Sequence, residues 1–412
     1  MTHHSRLDRW PGRRPRVRGF AAIVGMLAIV LALAACGSSS SSTSSASSAS
    51  SGSSGSTGST GSTATNASSP SSSGGVAAAQ AQLQKYEAAP TQITIQTPLK
   101  SAPPKGKKVV MLATNDPNNV KLQQSLKSLA SLVGWSYDQV SYDPANPATF
   151  GAAVDTAITK KADYIAEAGI PLTPSVINKV KQAGAKWVLT SVYPATVADP
   201  VIVDANGYNA DHLMGTVLAD FFIADSNGKG NVLVEHIPAY PILGGFTDGF
   251  QAEIHSKCPD CKVKIINITI PDLAAGKVPS IMVSALRTNS DANYMAFDVG
   301  PFATGINSAL SAAGFSGKVK IIGEAADEGA IAALKSGTQT AWTGFSPIYS
   351  TYVMMDAMLR DAEGSPIDAK QSSIQPTQIL THDNITPTVG SSSTWNEPKD
   401  GLDQFKKLWQ VQ

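Results

Sequence analysis

The sequence predicts an α/β protein made of two doubly wound lobes, each built on a parallel sheet. Three observations carry that prediction. From Lys108 onward, short continuous apolar runs alternate with segments of helical period. That is the pattern of strands buried on both faces and covered by crossover helices. Ten such runs crowd a single twisted open sheet. The chain has 412 residues, and the roughly 340 left after its N-terminal segments suit two domains of about 150 each.

The elements follow in order. Strands are expected at 109–113, 137–141, 164–168, 187–190, 201–204, 232–236, 263–268, 294–297, 319–323 and 340–345. Helices are expected between them, near 121–133, 150–160, 174–183, 210–224, 245–255, 278–288, 302–313, 328–336 and 351–362. Gly134 suits a left-handed cap after the first helix, and Pro174 suits the first turn of the helix it opens. Asp272 and Asp327 are placed to cap helices. An amphipathic segment at 402–409 reads as a last short helix docking back on the body. In a doubly wound sheet, ligands bind at the carboxyl ends of the strands.

Ahead of this body lie segments of another kind. Arg13, Arg14, Arg16 and Arg18 precede an apolar run over 20–35, which closes on Leu33-Ala34-Ala35-Cys36. A basic start, an apolar stretch and small residues before a cut site form an export signal. The run is shorter than the ~20 apolar residues of a membrane span. A cysteine immediately after the cut resembles the lipobox of bacterial lipoproteins, which implies acyl chains on Cys36. Residues 36–75 are almost entirely Ser, Gly, Thr and Ala. Such a stretch buries too little apolar surface to offset chain entropy and reads as a disordered tether. Residues 76–107 read as an N-terminal extension of the body.

The formal net charge is +1 and 42% of residues are apolar, so cores are affordable and no basic face for nucleic acid is indicated. Two cysteines remain, in Cys258-Pro259-Asp260-Cys261. In an exported protein a close pair reads first as a disulfide; the spacing also matches a redox site or half of a zinc site. Its position between a helix and a strand favours a structural staple. No metal site and no cofactor are expected. The chain has no Gly-x-Ser-x-Gly elbow, no His-Glu-x-x-His, no phosphate loop and no Gly-x-Gly-x-x-Gly after its first strand. His212, His236, His255 and His382 are dispersed. No catalytic residue is assigned, and an enzyme is not expected.

Several segments together resemble the solute-binding proteins of ABC importers with the ribose-type (type I) periplasmic-binding fold, and an actinobacterial-like member in particular. They are KVVMLATN (108–115), LKSLASLVGW (126–135), ADYIAEAGIP (162–171), GGFTDGF (244–250) and KVKIIG (318–323) followed by AAD (325–327). The resemblance spans about 107–412. It implies two lobes joined by three crossovers, near 192–204, 323–327 and 343–347. The first lobe would then be 108–192 plus 324–345, and the second 193–323 plus 346–412. It also implies a small-molecule ligand between the lobes, hinge closure around it, and docking of a monomer on a permease with its ATPase.

The chain departs from the ribose-type pattern where that family holds its charged clamp. The loop opening the second lobe's first helix reads LGGFTD (243–248), the strand at 294–297 is followed by DVG (298–300), and the fourth strand by SVY (191–193). The expected solute is therefore small and neutral, sugar-like or aromatic.

The candidate contacts are residues at strand ends, loops and crossovers. Asn115 and Asp116 follow the first strand, where they equally suit a turn before Pro117. Glu167, His236 and Asp298 end apolar strands, where a polar group faces the cleft or pairs structurally. Asp327 stands at a crossover and competes with a capping role. Tyr193, Phe246, Trp342 and Phe345 would supply aromatic walls, although aromatic residues are most often core. The reading is an extracytoplasmic, lipid-anchored receptor delivering a solute to an importer. The alternatives are a ligand-sensing subunit for a signalling membrane protein, or an exported enzyme.

Overall fold

The computed structural model describes residues 72–144 and 146–411. The export signal, Cys36 and the tether up to residue 71 lie outside the described residues. No described helix is long and apolar enough to cross a membrane.

The described chain opens with α1 (Ser72–Leu83) and then runs into the first lobe. That lobe contains β1 (Lys108–Ala113), α2 (Pro117–Leu132), β2 (Ser136–Ser141), α3 (Pro147–Thr159), β3 (Tyr164–Ala168), α4 (Pro174–Gln182), β4 (Lys186–Thr190) and β5 (Val201–Asp204). Its five strands are all parallel, in the order β2-β1-β3-β4-β5. The alternation of side chains along β1 makes both faces apolar. Val109 and Met111 enter one core layer, and Val110 and Leu112 the other. Each such fully buried side chain contributes about 1.5–3 kcal/mol. The helices are punctuated as the residues dictate. Asp116 accepts a hydrogen bond from the Asn119 backbone N–H at 2.8 Å, with Pro117 in the first turn. Gly134 ends the following turn at φ +75°, a conformation that disfavours a side chain.

The second lobe repeats the winding. It contains α5 (Tyr208–Asp225), β6 (Asn231–His236), α6 (Gly244–Lys257), β7 (Lys262–Asn267), α7 (Ile270–Ala274), α8 (Val278–Thr288), β8 (Tyr294–Phe297), α9 (Ile306–Ala312), β9 (Lys320–Gly323), α10 (Glu328–Lys335) and β10 (Ala341–Thr343). The chain then crosses to the first lobe as α11 (Pro347–Glu363), passes α12 (Ala369–Ser372), and returns as β11 (Ile379–Thr381) and α13 (His382–Val389). It finishes on the first lobe as α14 (Gly401–Trp409). The second sheet has the order β11-β10-β9-β8-β6-β7, parallel except for the antiparallel edge strand β11.

The lobe boundaries differ from those the resemblance implied. Residues 324–345, expected in the first lobe, belong to the second, because β10 pairs with β9 in the second sheet. Conversely α11 and α14, expected in the second lobe, bury Tyr349, Val353, Met354, Phe405 and Trp409 in the core of the first, with α11 packed on α2, β4 and β5. After the strap at its N-terminus, the chain passes between lobes at 205–207, 344–346, 364–378 and 390–400, where three crossovers were expected. α1 begins at Ser72, so the end of the stretch read as tether is helical. Thr269, not Asp272, caps α7 by accepting from the Asp272 backbone N–H at 3.2 Å.

The N-terminal extension is a strap across both lobes. Val76, Ala79 and Leu83 of α1 join the core beside α5 and α6, and Glu87 O accepts from Gln378 Nε2 at 2.9 Å. A few residues later Ile93, Ile95 and Leu99 are buried in the first lobe, and the Thr94 N–H donates to Tyr349 Oη at 2.8 Å. The strap is locked by a buried network. Arg360 Nη2 donates to Thr97 O at 2.5 Å, Arg360 Nε donates to Asp356 at 2.6 Å, and Trp409 Nε1 donates to Asp356 at 2.9 Å.

Candidate functional site

The two sheets present their carboxyl ends to a shared cleft that holds a cavity of about 350 Å³. This is within the range of small-molecule sites. Ser191 lines it from the end of β4, and Asn206, Asp211 and Met214 from the first crossover and α5. Val299 and Pro301 follow β8, and Glu324 to Glu328 lead from β9 into α10. Phe345, Pro347 and Ile348 come from the second passage between lobes, and Trp395 from the last. A neighbouring cavity of about 190 Å³ on the first-lobe side shares Asn118, Ser191, Phe345 and Pro347, so Phe345 stands between the two.

The polar floor is tightly organised on one side. Asn206 Oδ1 accepts from Gln375 Nε2 at 2.5 Å, while its amide nitrogen donates to Ser191 Oγ at 3.1 Å and to Asp211 Oδ1 at 3.5 Å. Those partners fix which way the amide points. Beneath lie carboxyl groups that burial pushes toward the neutral form. Asp204 is raised to about 7 by burial, against a backbone bond from Val192. Glu235 is raised to about 8, first by burial and then by Asp298. Asp211, Glu324 and Asp298 are raised well above the usual range, each chiefly by burial. After burial, neighbouring acids add to the shift: Asp204 and then Asp298 at Asp211, and Asp211 and then Asp298 at Glu324. His236 Nδ1 lies 3.2 Å from Asp298 Oδ2. Burial lowers the His236 pKa as it raises that of Asp298, so both shifts disfavour the charged forms at this contact.

The sequence candidates separate cleanly. Phe345 and Asp327 line the main cavity, Asp327 while capping α10 through a 2.8 Å bond from the Ala330 N–H. Asp116 lines the smaller cavity and caps α2. Asp298 and His236 meet each other behind the second-lobe wall and line neither cavity. Asn115 is exposed beside the cleft. Tyr193 is 38% exposed and stacks on Tyr208 with ring centroids 4.6 Å apart, outside the cavity lining. Glu167 turns into the first lobe's core, where Tyr142 Oη donates to it at 3.1 Å. Two candidates are corrected outright. Phe246 is fully buried against Phe250 on α6, and Trp342 is fully buried over Gly323 with its Nε1 donating to Gln339 at 2.8 Å. Both are core, because their strand and helix positions face inward.

The residues missed are Asn118, Lys121, Asn206, Asp211, Glu324 and Trp395. Glu324 had a signal, since it directly follows the apolar run closed by Gly323. Asn206 sits on a crossover expected a few residues earlier, Asp211 lies in the first turn of α5 just after it, and nothing local marks Trp395. Cys258 and Cys261 lie with sulfurs at bonding distance and Cα atoms 5.3 Å apart, far along the second lobe from the cavity lining. Among the described residues no group of three or more His, Cys, Asp or Glu is arranged to hold a metal ion.

Residues 108–366 match the periplasmic binding protein domain. The chain belongs to that family. It is a family of extracytoplasmic small-molecule binding proteins of ABC importers, not of enzymes. The chain is similar in fold to an ABC sugar transporter subunit of Rhodobacter sphaeroides. That match has 19% identity and a TM-score of 0.58, covering 68% of this chain and 99% of the other. A solute-binding protein of Agrobacterium vitis bound to α-D-tagatopyranose also matches. It has 19% identity and a TM-score of 0.59, covering 71% of this chain and 100% of the other. A putative LacI transcriptional regulator of Bacteroides fragilis matches as well, at 16% identity and TM-score 0.54, over 69% and 99% of the two chains. At these identities the likeness shows the fold alone. No curated protein matches the chain.

Proposed function

We propose that this protein is the lipid-anchored solute receptor of an ABC importer. It takes a small, sugar-like solute into the interlobe cleft, closes by hinge motion, and docks as a monomer on a permease with its ATPase. The observation that carries this reading is the 350 Å³ cavity at the carboxyl ends of both sheets, walled by Phe345 and Trp395 and floored by Asn206, Asp211 and Glu324. Aromatic faces and fixed polar groups are what a polyhydroxylated ring needs. Sugars also appear with relatives of the same fold, tagatopyranose in Agrobacterium vitis and D-allose in Actinobacillus succinogenes. Acyl chains on Cys36 would hold the receptor at the outer face of the cytoplasmic membrane and raise its concentration at the permease. Outside the cell, Cys258 and Cys261 would form a disulfide.

The test is a thermal-shift and calorimetric screen of the full chain against monosaccharides, polyols, nucleosides and aromatic acids. A solute that binds only the folded state raises the melting temperature by mass action. Binding confined to aromatic acids would remove the sugar-like reading. Release of labelled protein from membranes by a Cys36→Ser change checks the anchor.

A further inference from the structure

We propose that the solute is a polyhydroxylated molecule of monosaccharide size bearing a protonated amine, such as an amino sugar, and that Asp211 and Glu324 hold its ammonium group. The proposal rests on the receptor reading above and narrows the solute from neutral to cationic.

The cavity wall holds buried carboxyl groups that no cation faces. Asp211 and Glu324 both line the cavity, and both are nearly inaccessible, at 4% and 1% exposure. Glu324 Oε2 has no hydrogen-bond partner, and the bond Asp211 accepts from Asn206 is long, at 3.5 Å. A buried carboxyl group is costly unless a charge or strong donors face it. Among the described residues the two arginines are Arg287, on α8, and Arg360, locked to Asp356. Neither reaches the cleft. The one cationic side chain in the lining is Lys121, and it lies 3.4 Å from Glu328 at the rim. Asp327 adds a further carboxyl group to the same wall. The cavity therefore offers under-partnered carboxyl groups with no cationic side chain beside them.

A bound ammonium would supply what the protein omits. Its three N–H donors match the free Glu324 oxygen and the under-used Asp211 carboxyl group. The remaining hydroxyls would meet Ser191, Asn206 and Asn396. The ring would lie against Phe345 and Trp395, whose own Nε1 is already engaged with Gln378 at 3.0 Å. Because burial holds both carboxyl groups toward the neutral form, docking R–NH3⁺ returns them to carboxylates, and the displaced protons pass to the buffer. No bond to carbon forms or breaks.

The full chain titrated calorimetrically at pH 7 with glucosamine, galactosamine and mannosamine, each beside its N-acetyl and hydroxyl counterpart, provides the test. The amine should bind tighter than both counterparts by about tenfold or more, the equivalent of one charge-assisted hydrogen bond. The enthalpy should differ between phosphate and Tris in the sense of protons released. Glu324→Gln and Asp211→Asn should each remove most of that preference and reduce the proton release. A counterpart binding as tightly as the amine would overturn the cationic class while leaving the receptor reading in place. Failure of every sugar in the panel to bind would overturn this proposal and the sugar-like part of the receptor reading, while binding of a nucleoside or aromatic acid would leave a receptor of another solute class.

Discussion

Glu235→Gln should remove one group's share of a pH-dependent loss of stability, so that the variant gains on wild type as pH rises. Glu235 is the penultimate residue of β6, fully buried, with Oε1 lacking a hydrogen-bond partner and Oε2 accepting from the Asp298 N–H at 3.3 Å. Burial first, and the neighbouring Asp298 second, raise its pKa to about 8. In the unfolded chain the same group titrates near 4.3–4.5. Between those values the folded protein binds more protons than the unfolded chain, so stability falls as pH rises. The contribution is fully present below about pH 4 and is lost progressively toward pH 8. Relative to a permanently neutral side chain, linkage puts the penalty at about 1 kcal/mol at pH 5 and about 3 kcal/mol at pH 7. The difference of about 2 kcal/mol corresponds to roughly 3 °C in melting temperature for a body of this size. Asp204 and Asp220, each raised to about 7 chiefly by burial, push wild type the same way, and His236, lowered by burial, pushes the other way below its ordinary range. Comparing wild type with Glu235→Gln at each pH isolates the one group. Differential scanning calorimetry at pH 5, 6, 7 and 8 reads the gap, which should widen steadily in favour of the variant. Parallel curves across that range would refute the claim that Glu235 is held neutral by its surroundings.

Three further outcomes follow from the packing. Arg360→Leu should cost about 3–5 kcal/mol in denaturant unfolding, because it strands the buried Asp356 carboxyl group and releases Thr97 of the strap. Gly323→Ala should cost about 1–3 kcal/mol, since a Cβ there would enter the Trp342 ring, and a melting temperature equal to wild type would show that the ring yields freely. Phe345→Ala should weaken solute binding measured calorimetrically by about tenfold with little loss of stability, because Phe345 is half-buried at the cavity wall. Unchanged affinity would remove it from the site.

The division between legible and illegible residues has physical causes. Val109 to Ala113, Tyr164 to Ala168 and Tyr294 to Phe297 were readable as strands because a strand covered on both faces must be apolar at consecutive positions. β11 was not, because an antiparallel edge of three residues carries too short a pattern. Trp342 and Phe345 lie three residues apart at one crossover, yet one is core and the other lines the cavity. Composition cannot separate them, since the strand's last turn toward solvent decides which ring is covered. Glu167 and Glu324 both end apolar runs, and only the second opens on the cleft.

Local order in this chain follows from its own residues: apolar runs, capping side chains and a glycine or proline at the right turn settle the strands, the helices and their alternation, because those preferences act over a few residues. Which lobe receives α11 and α14, how the strap spans the two halves, and which acids share one enclosed space depend on contacts between residues hundreds of positions apart. Burial and missing counter-charges exist only once those distant segments meet, so the character of the cleft belongs to the assembled structure.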